Sequence, residues 1–501
     1  MRKIPATMTT QHPDNAQEAY WCGKSFINTT DEIEEVYRIF KDLDAEEYMW
    51  DWEGKFVDEA VIDKLFRRYT EYFKKKQLGK DKFLTYRIPN IWEESGYRIA
   101  RAFINIVTSA DFAEDFKFHT PPIFEVILPM TKTAGQIGEV EEIFSKVAKL
   151  KCEIFNKDRC GFNQINVIPL IESVEQMTSI SEFLEEYISI HKKKYKKNPE
   201  YIRPFIARSD PALNSGIVPA VLAAKVAISQ IHEVGKKHNI GMYPIIGTGS
   251  LPFRGGVNPE NIHEVIEEYG GIRTITIQSA FKYDYPIEQV KKAIKFIQKT
   301  LPELKPTIIS KEETKKIITI NEIFSDYYKE TVEPLAAYIN KFSKYIPSRR
   351  ERMQHIGLFG YSRGMGKVKL PRAITFTAIF YSLGIPPEFI GTGRGLEEAE
   401  KRGLLPLIKK IYLNLERDLS HAGKYLNKEN LALFAKKNPL FKQIAQDIEK
   451  TEKILGIKFG PQKDKHFLHR NLTSNIYYKM KMKKDPSKDI LEAAIIRKSL
   501  G

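Results

Sequence analysis

Residues 123–150, IFEVILPMTKTAGQIGEVEEIFSKVAKL, contain the unit from which the fold is predicted. Residues 123–130 form an apolar, β-rich run, and residues 134–150 repeat apolar positions about every 3.6 residues. The first pattern predicts a buried strand, and the second predicts an amphipathic helix. Three polar residues, Thr131, Lys132 and Thr133, lie between them, so polar side chains are expected at the end of this strand.

A strand-like run followed by an amphipathic helix recurs along the chain, which is the order expected for parallel βα units. Eight runs carry the strand pattern, at residues 4–11, 82–88, 123–130, 165–171, 201–207, 241–247, 274–280 and 356–362. Eight units predict an α/β fold, a closed (β/α)8 TIM-type barrel with additional C-terminal α-helices. We expect the catalytic barrel over residues 1–371 and a helical extension, packed on it as a single structural unit, over residues 372–501.

The composition limits the class of protein. The 79 basic and 64 acidic residues give a formal charge of +15, which suits nucleic acid, a membrane surface or small polyanionic substrates. No window approaches eighteen uninterrupted apolar residues, so a membrane span is not expected. The three cysteines have no metal-ligand spacing, and their odd number argues against a disulfide framework. We therefore expect a cytoplasmic protein with reduced cysteines.

The residues that follow the predicted strands are the candidates for chemistry, because the C-terminal strand ends of a TIM barrel converge on one opening. Many of them are charged, which is unusual for loop residues chosen only to make turns. They are His12, Arg87, Thr131, Lys132, Glu172, Asp210, the loop 247–256, Gln278 and Arg363.

The loop GTGSLPFRGG, residues 247–256, is rich in glycine and contains Arg254. Glycines let backbone N–H groups approach an anion, and an arginine fork matches phosphate or carboxylate oxygens. The loop also precedes a predicted helix, with Asn258 as its N-cap and Pro259 in its first turn. These features predict an anion-binding loop, although glycines also serve tight turns.

Glu172 and Asp210 follow neighbouring predicted strands, and two carboxylates at adjacent strand ends can bind Mg²⁺ or Mn²⁺ together with water and substrate oxygens. The alternative is that each carboxylate caps a helix or pairs with Arg208. His12 follows the first strand, where an imidazole that titrates near neutral pH can move a proton, or can have a purely structural role.

Four arginines, Arg87, Arg254, Arg363 and Arg372, would surround this metal site. Such a cationic rim predicts a small substrate that carries both phosphate and carboxylate groups.

The segments TMTTQHPDN (7–15) and GTGSLPFRGGVNP (247–259) resemble those of phosphoenolpyruvate carboxylase, in particular its short, archaeal-type form, and the resemblance covers essentially the whole chain. It implies that oxaloacetate and phosphate are formed from phosphoenolpyruvate and bicarbonate, through carboxyphosphate and an enolate. It also implies Mg²⁺ or Mn²⁺ as cofactor, no biotin, small-molecule substrates, no nucleic acid or membrane partner, and a homotetramer.

The resemblance also assigns site residues. It implies catalytic roles for His12, Arg254, Arg363 and Arg372, and metal binding by Glu172 and Asp210. The implied substrate-binding residues are Arg87, Arg254, Gly255, Gly256, Gln278, Arg363 and Arg372.

Two cationic residues of the larger bacterial and plant enzymes are absent from this chain, because Thr248 and Leu213 occupy their places. Arg208, Lys132 and Lys282 are the candidates to substitute for them.

Two other functions remain open at the level of sequence. One is another metal-dependent barrel acting on phosphoenolpyruvate or pyruvate, such as a kinase or an aldolase-like lyase, although the chain contains no P-loop motif. The other is a nucleic-acid-binding protein, suggested only by the positive charge, with no helix-turn-helix, zinc-finger or RNA-binding signature in support.

Overall fold

A computed structural model describes residues 2–53, 56–94, 97–154, 161–351 and 368–501. Its strands in these ranges are β1 (Thr7–Thr9), β2 (Glu47–Asp51), β3 (Phe83–Arg87), β4 (Glu125–Leu128), β5 (Asn166–Ile171), β6 (Tyr201–Ile202), β7 (Phe205–Ala207), β8 (Gly241–Met242), β9 (Ile245–Gly247) and β10 (Thr274–Ile277).

Eight of these strands form a closed parallel barrel in the order β1-β10-β9-β7-β5-β4-β3-β2, and β6 and β8 pair in a separate small sheet. The predicted TIM-type barrel is therefore confirmed. The runs at 201–207 and 241–247 are each divided into two short strands, and the break falls at Pro204 and Pro244, whose lack of an N–H group prevents continuous pairing.

The predicted position of one barrel strand is wrong. The barrel closes through β2, which pairs with β1 and β3, while β10 pairs directly with β1. The run at 356–362 lies outside the described residues, and the barrel is complete without it. The sequence of β2, EYMWD, has an acidic residue at each end and therefore lacks the apolar pattern of a buried strand.

The helices surround the barrel and continue beyond it. They are α1 (Glu32–Asp42), α2 (Val61–Arg68), α3 (Thr70–Lys75), α4 (Tyr97–Asp115), α5 (Ala134–Ile154), α6 (Val174–Thr178), α7 (Ile180–Tyr195), α8 (Ser209–Ser215), α9 (Ile217–His238), α10 (Ile262–Glu268), α11 (Ser279–Tyr283), α12 (Ile287–Thr300), α13 (Lys311–Ser343), α14 (Ala373–Ser382), α15 (Thr392–Lys401), α16 (Leu405–Ile411), α17 (Leu415–Gly423), α18 (Lys428–Ala435), α19 (Pro439–Leu455), α20 (Asp464–Lys481) and α21 (Ser487–Arg497).

Two hydrophobic cores share helix α9. Its residues Ala227 and Ile231 belong to the barrel core, whereas Ile217 and Leu222 belong to a second core formed mainly by α13 and the helices after residue 372. Helix α13 lies against both α8 and α9. The C-terminal helices therefore pack directly on the barrel, and the domain boundary at residue 371 stays a prediction.

Among the described residues, α9 has the length and apolar composition of a membrane-spanning helix, and a second candidate arises if the bent pair 373–382 and 387–401 is taken as one span. The most apolar window of α9 is 83% buried inside the protein, as in the core helix of a globular fold. Cys152 is disulfide-bonded and Cys22 is free, so the expectation of reduced cysteines is wrong at Cys152.

A buried ion cluster closes the end of the barrel at the start of its strands. The Arg203 guanidinium donates to Glu47 at 2.7 Å and to Glu125 at 2.6 Å, and all three side chains are almost fully buried. Burial would lower the pKa of Arg203, but the two carboxylates raise it above its ordinary value. The acidic residue that begins β2 is therefore compensated by an arginine that is 156 positions away.

Replacing Arg203 by methionine is expected to lower the free energy of unfolding by roughly 3–5 kcal/mol, because Glu47 would remain buried without its cation and Glu125 would keep only Arg2. Urea unfolding of both proteins measures the difference. Lys237→Met is the control, since the Lys237–Glu185 pair is largely exposed and its loss should change stability little. Equal losses in the two variants would contradict this interpretation.

Candidate active site

A cavity lies at the C-terminal ends of the barrel strands. Of the predicted site residues, seven line it together: His12, Arg87, Glu172, Asp210, Arg254, Gln278 and Arg372. Thr10 and Arg208 contribute further polar side chains. Arg363, the remaining predicted arginine, lies outside the described residues.

His12 is half-buried and follows β1 by three residues. Its Nδ1 atom lies 2.8 Å from the Thr10 hydroxyl, which fixes the plane of the ring. When Nδ1 carries the proton and donates to Thr10, the Nε2 atom is the basic nitrogen of the ring. A neutral imidazole held in this way is suited to accept a proton or to donate one after protonation.

Thr10 is itself held by a buried charged network. The Lys282 ammonium donates to the Thr10 carbonyl oxygen and to Glu35, both at 3.0 Å. Burial would raise the pKa of Glu35, but Arg350 and Lys282 hold it well below its ordinary range. Because Glu35 stays ionised and paired, the network gives the backbone beneath His12 a fixed position.

Arg87 is the last residue of β3 and is buried between two carboxylates. It makes a bidentate pair with Asp51, at 2.8 and 2.7 Å, and a further ion pair with Glu53 at 2.9 Å. Three of its five N–H groups are used in this way. The carboxylates hold the guanidinium rigidly at the cavity wall and also offset its charge.

Arg254 is buried and is held by three partners. One terminal nitrogen donates to Asp14 at 3.2 Å and to the main-chain oxygen of Gly501 at 2.6 Å, and the other donates to the side-chain oxygen of Gln278. Burial lowers the pKa of Arg254, and the nearby Asp14 and Asp210 oppose this effect. Arg254 thus joins the glycine-rich loop to the segments that follow β1 and β10 and to Gly501.

Glycine is needed in this loop for the approach of Arg254. A Cβ atom on Gly249 would lie 2.7 Å from the Arg254 guanidinium carbon, closer than carbon atoms can pack. Gly255 has a φ of +113°, and a Cβ there would meet the Thr248 side chain at 2.7 Å. The glycines therefore shape the loop around the arginine.

The sequence predicted that backbone N–H groups of this loop bind an anion, but two of them are already paired within the loop. The N–H groups of Gly255 and Gly256 donate to Pro252 and Leu251, and neither glycine lines the cavity. Helix α10 begins at Ile262 with Asn261 as its N-cap, so the predicted cap at Asn258 is wrong. The Asn258 side chain instead accepts from the N–H of Glu260 in a turn. The substrate-binding assignment of Gly255 and Gly256 stays a prediction.

The two candidate metal ligands follow neighbouring strands of the barrel, β5 and β7. Glu172 follows β5, and its Oε2 atom accepts from the Met130 N–H at 2.7 Å. Ser173 caps α6 by accepting from the N–H of Gln176. Asp210 lies in the first turn of α8, after β7. Both carboxylates line the cavity, although the described residues contain no group of three or more potential metal ligands.

Arg372 and Gln278 occupy the N-terminal ends of helices. Arg372 is the N-cap residue of α14 and is half-buried, and Gln278 is the N-cap residue of α11. Arg372 forms no ion pair with another described residue, and the uncharged Gln278 accepts a hydrogen bond from Arg254. With Arg87, Arg208 and Arg254, Arg372 gives the described wall four arginine side chains.

The acidic partners of these arginines were not among the residues predicted from the sequence. Asp14, Asp51 and Glu53 are all buried and hold Arg254 or Arg87 in place. Asp51 is the last residue of the missed strand β2, so recognising EYMWD as a strand would have identified it. Burial raises the pKa of Asp14, and the adjacent Arg254 opposes this shift.

A buried carboxyl behind the glycine-rich loop predicts a dependence of stability on pH. Burial raises the pKa of Glu388 to about 7 from 4.5, and one of its oxygens accepts from both Phe253 N–H and Tyr381 O–H. The pKa of Glu388 is higher in the folded state than in the unfolded state. Its contribution to the free energy of unfolding is therefore full below pH 4.5 and is lost as pH rises through 7.

Wild-type protein is therefore expected to lose roughly 2–3 kcal/mol more unfolding free energy than Glu388→Gln between pH 5 and pH 8. Glutamine can retain both accepted hydrogen bonds and cannot ionise. Denaturant unfolding of both proteins at the two pH values measures this difference. Parallel pH dependence in the two proteins would contradict the shifted pKa.

Comparisons with known proteins identify the family to which this chain is similar. A family model described as phosphoenolpyruvate carboxylase matches residues 4–501. A phosphoenolpyruvate carboxylase from Metallosphaera sedula is 41% identical, and the alignment covers all of both chains. Proteins of the same name from Oenococcus oeni and Caldivirga maquilingensis are 39% and 38% identical, over all of this chain and 99% and 100% of theirs.

Proposed function

The chain belongs to the phosphoenolpyruvate carboxylase family, and we propose that it forms oxaloacetate and phosphate from phosphoenolpyruvate and bicarbonate in the barrel cavity. The single observation that carries the location is the convergence of His12, two carboxylates and several arginines on one wall. The substrate has a phosphate and a carboxylate, which are the groups that arginine forks bind best.

The proposed reaction begins with transfer of the phosphoryl group. An oxygen of bicarbonate attacks phosphorus, the bond from phosphorus to the enol oxygen breaks, and carboxyphosphate and the enolate of pyruvate result. Negative charge accumulates on the transferring group, so fixed cations such as Arg254 and Arg372 lower the barrier. Because Asp14 and Gln278 hold Arg254 rigidly, it needs little reorganisation during this step.

The second stage joins carbon to carbon. Carboxyphosphate breaks down to CO₂ and phosphate, and the enolate carbon attacks CO₂ to give oxaloacetate. We assign His12 to this stage, where its imidazole accepts the carboxyphosphate proton and holds the phosphate that leaves. The contact with Thr10 supports the assignment because it fixes the ring in one orientation.

Glu172 and Asp210 are the residues that we propose for a divalent cation, Mg²⁺ or Mn²⁺, and no biotin is required. Two carboxylates are too few for a cage made only of protein groups, but they suit Mg²⁺, which keeps several water or substrate ligands. When bound, the cation supplies Lewis-acid stabilisation of negative oxygen. The arginines at the wall would bind the substrate's own anionic groups and place them beside the cation that Glu172 and Asp210 would hold.

We further propose a cytoplasmic homotetramer that acts on small molecules, without a nucleic-acid or membrane partner. Exposed apolar side chains on the C-terminal helices support association, since four of them are 41–57% exposed: Phe467, Leu468, Tyr478 and Met482. Light scattering coupled to size-exclusion chromatography measures the mass of the assembly.

The test of function is oxaloacetate formation, followed by the oxidation of NADH with added malate dehydrogenase. Turnover that requires bicarbonate and a divalent cation, stops with excess EDTA and needs no ADP is the expected result. A requirement for ADP would indicate a kinase, and an absence of turnover in folded protein would overturn the proposal.

A further inference from the structure

We infer that Arg208 binds the anionic oxygens of the substrate and supplies a cationic contact that Thr248 and Leu213 do not provide. This inference rests on the proposed function, and it concerns a residue that the sequence left as one of three candidates. Arg208 directly follows β7, lines the cavity and is 1% exposed.

The other two candidates are engaged elsewhere. Lys282 does not line the cavity, and its ammonium is held between Glu35 and the Thr10 carbonyl. Lys132 is 63% exposed, pairs with Glu93 and lies outside the cavity wall. Of the three side chains, only that of Arg208 reaches the cavity.

The position of Arg208 is fixed from both ends. Its backbone N–H donates to the Gly247 carbonyl oxygen at 3.1 Å, next to the glycine-rich loop. Its Nε atom donates to the Tyr269 hydroxyl at 2.7 Å. Burial raises the pKa of Tyr269 to about 12 although Arg208 opposes the shift, so the hydroxyl stays neutral near pH 7. Tyr269 therefore orients the guanidinium without neutralising it.

The charge of Arg208 is the feature that points to a ligand. In the described ranges it forms no ion pair, whereas Arg87 and Arg254 each contact a carboxylate. Its Nη1 atom is buried and has no hydrogen-bond partner in those ranges.

A buried, uncompensated guanidinium is costly, and an anion that enters the cavity removes this cost. A planar fork with an unused terminal nitrogen can donate to a phosphate or a carboxylate oxygen. Neither Thr248 nor Leu213 can make this contact, because the Thr248 hydroxyl donates to the Thr276 carbonyl and Leu213 lies in the second hydrophobic core. The structure thus assigns the contact to Arg208.

The experiment measures binding of 2-phosphoglycolate, which carries a phosphate ester and a carboxylate but has no enol to be carboxylated. Calorimetry with Mg²⁺ present compares the wild type with Arg208→Gln, and we expect roughly 10²-fold weaker binding and a matching loss of kcat/KM. Mn²⁺ affinity should stay within threefold, because the carboxylates are untouched. Arg273→Gln, which removes an arginine just before β10 at the other end of the barrel, should leave binding unchanged.

Two further variants cover the case in which Arg208→Gln does not fold. Arg208→Lys keeps the charge but loses the fork, and Tyr269→Phe keeps the guanidinium but loses its anchor, so each should weaken binding by roughly 10-fold. Wild-type affinity in all folded variants would overturn the inference. If wild type binds 2-phosphoglycolate through Arg208 but forms no oxaloacetate, the proposed function fails and the anion contact stands.

Discussion

Replacement of His12 by asparagine is expected to lower oxaloacetate formation by roughly 10²–10⁴-fold, the usual contribution of a positioned acid–base group. Asparagine is similar in size and can still contact Thr10, but it cannot exchange a proton near neutral pH. Initial rates in the coupled assay, at saturating phosphoenolpyruvate and bicarbonate, measure the loss in kcat.

His191→Asn is the matched control, because His191 is also half-buried but lines a separate cavity near the start of the barrel strands. Its activity should equal that of the wild type. Near-normal carboxylation by His12→Asn would remove His12 from the mechanism. Loss of 2-phosphoglycolate binding in this variant would instead indicate that His12 serves substrate binding.

Replacement of either carboxylate, as Glu172→Gln or Asp210→Asn, is expected to lower turnover by roughly 10³-fold at a fixed, low concentration of Mg²⁺. The physical reason is the loss of one of two hard anionic oxygen ligands, which weakens cation binding and shifts activation to higher metal concentration. Titration of activity with Mg²⁺ and direct titration with Mn²⁺ measure the two effects.

Glu175→Gln provides the comparison, since Glu175 is exposed in the first turn of α6, only three positions from Glu172. It should titrate like the wild type. If Glu172→Gln and Asp210→Asn both showed wild-type Mn²⁺ affinity, the assignment of the metal site would be wrong even if activity fell.

Most of the barrel could be predicted because strand and helix patterns are local properties of the chain. Strand β2 could not be predicted, because its two acidic ends are stabilised by arginines on other elements. Arg203, which pairs with Glu47, is 156 positions away, and Arg87, which pairs with Asp51, is 36 positions away. The apolar run at 356–362 was locally convincing, but closure of the barrel by β10 and β1 depends on the whole set of strands.

The candidate site could be located for a related reason. In a closed parallel barrel every strand ends at the same opening, so residues far apart in sequence, such as His12 and Asp210, are brought to one cavity by topology alone. The sequence could not show which arginines have a carboxylate partner, because these contacts form only through tertiary packing. Arg254 is paired with the Asp14 carboxylate, whereas, among the described residues, the Arg208 side chain donates only to the neutral hydroxyl of Tyr269.

Turnover in bicarbonate fully labelled with ¹⁸O tests whether this cavity transfers a phosphoryl group to bicarbonate before it forms the carbon–carbon bond. We expect one labelled oxygen in the phosphate and two in the new carboxylate of oxaloacetate, both read by mass spectrometry. Oxaloacetate formed together with unlabelled phosphate would contradict it.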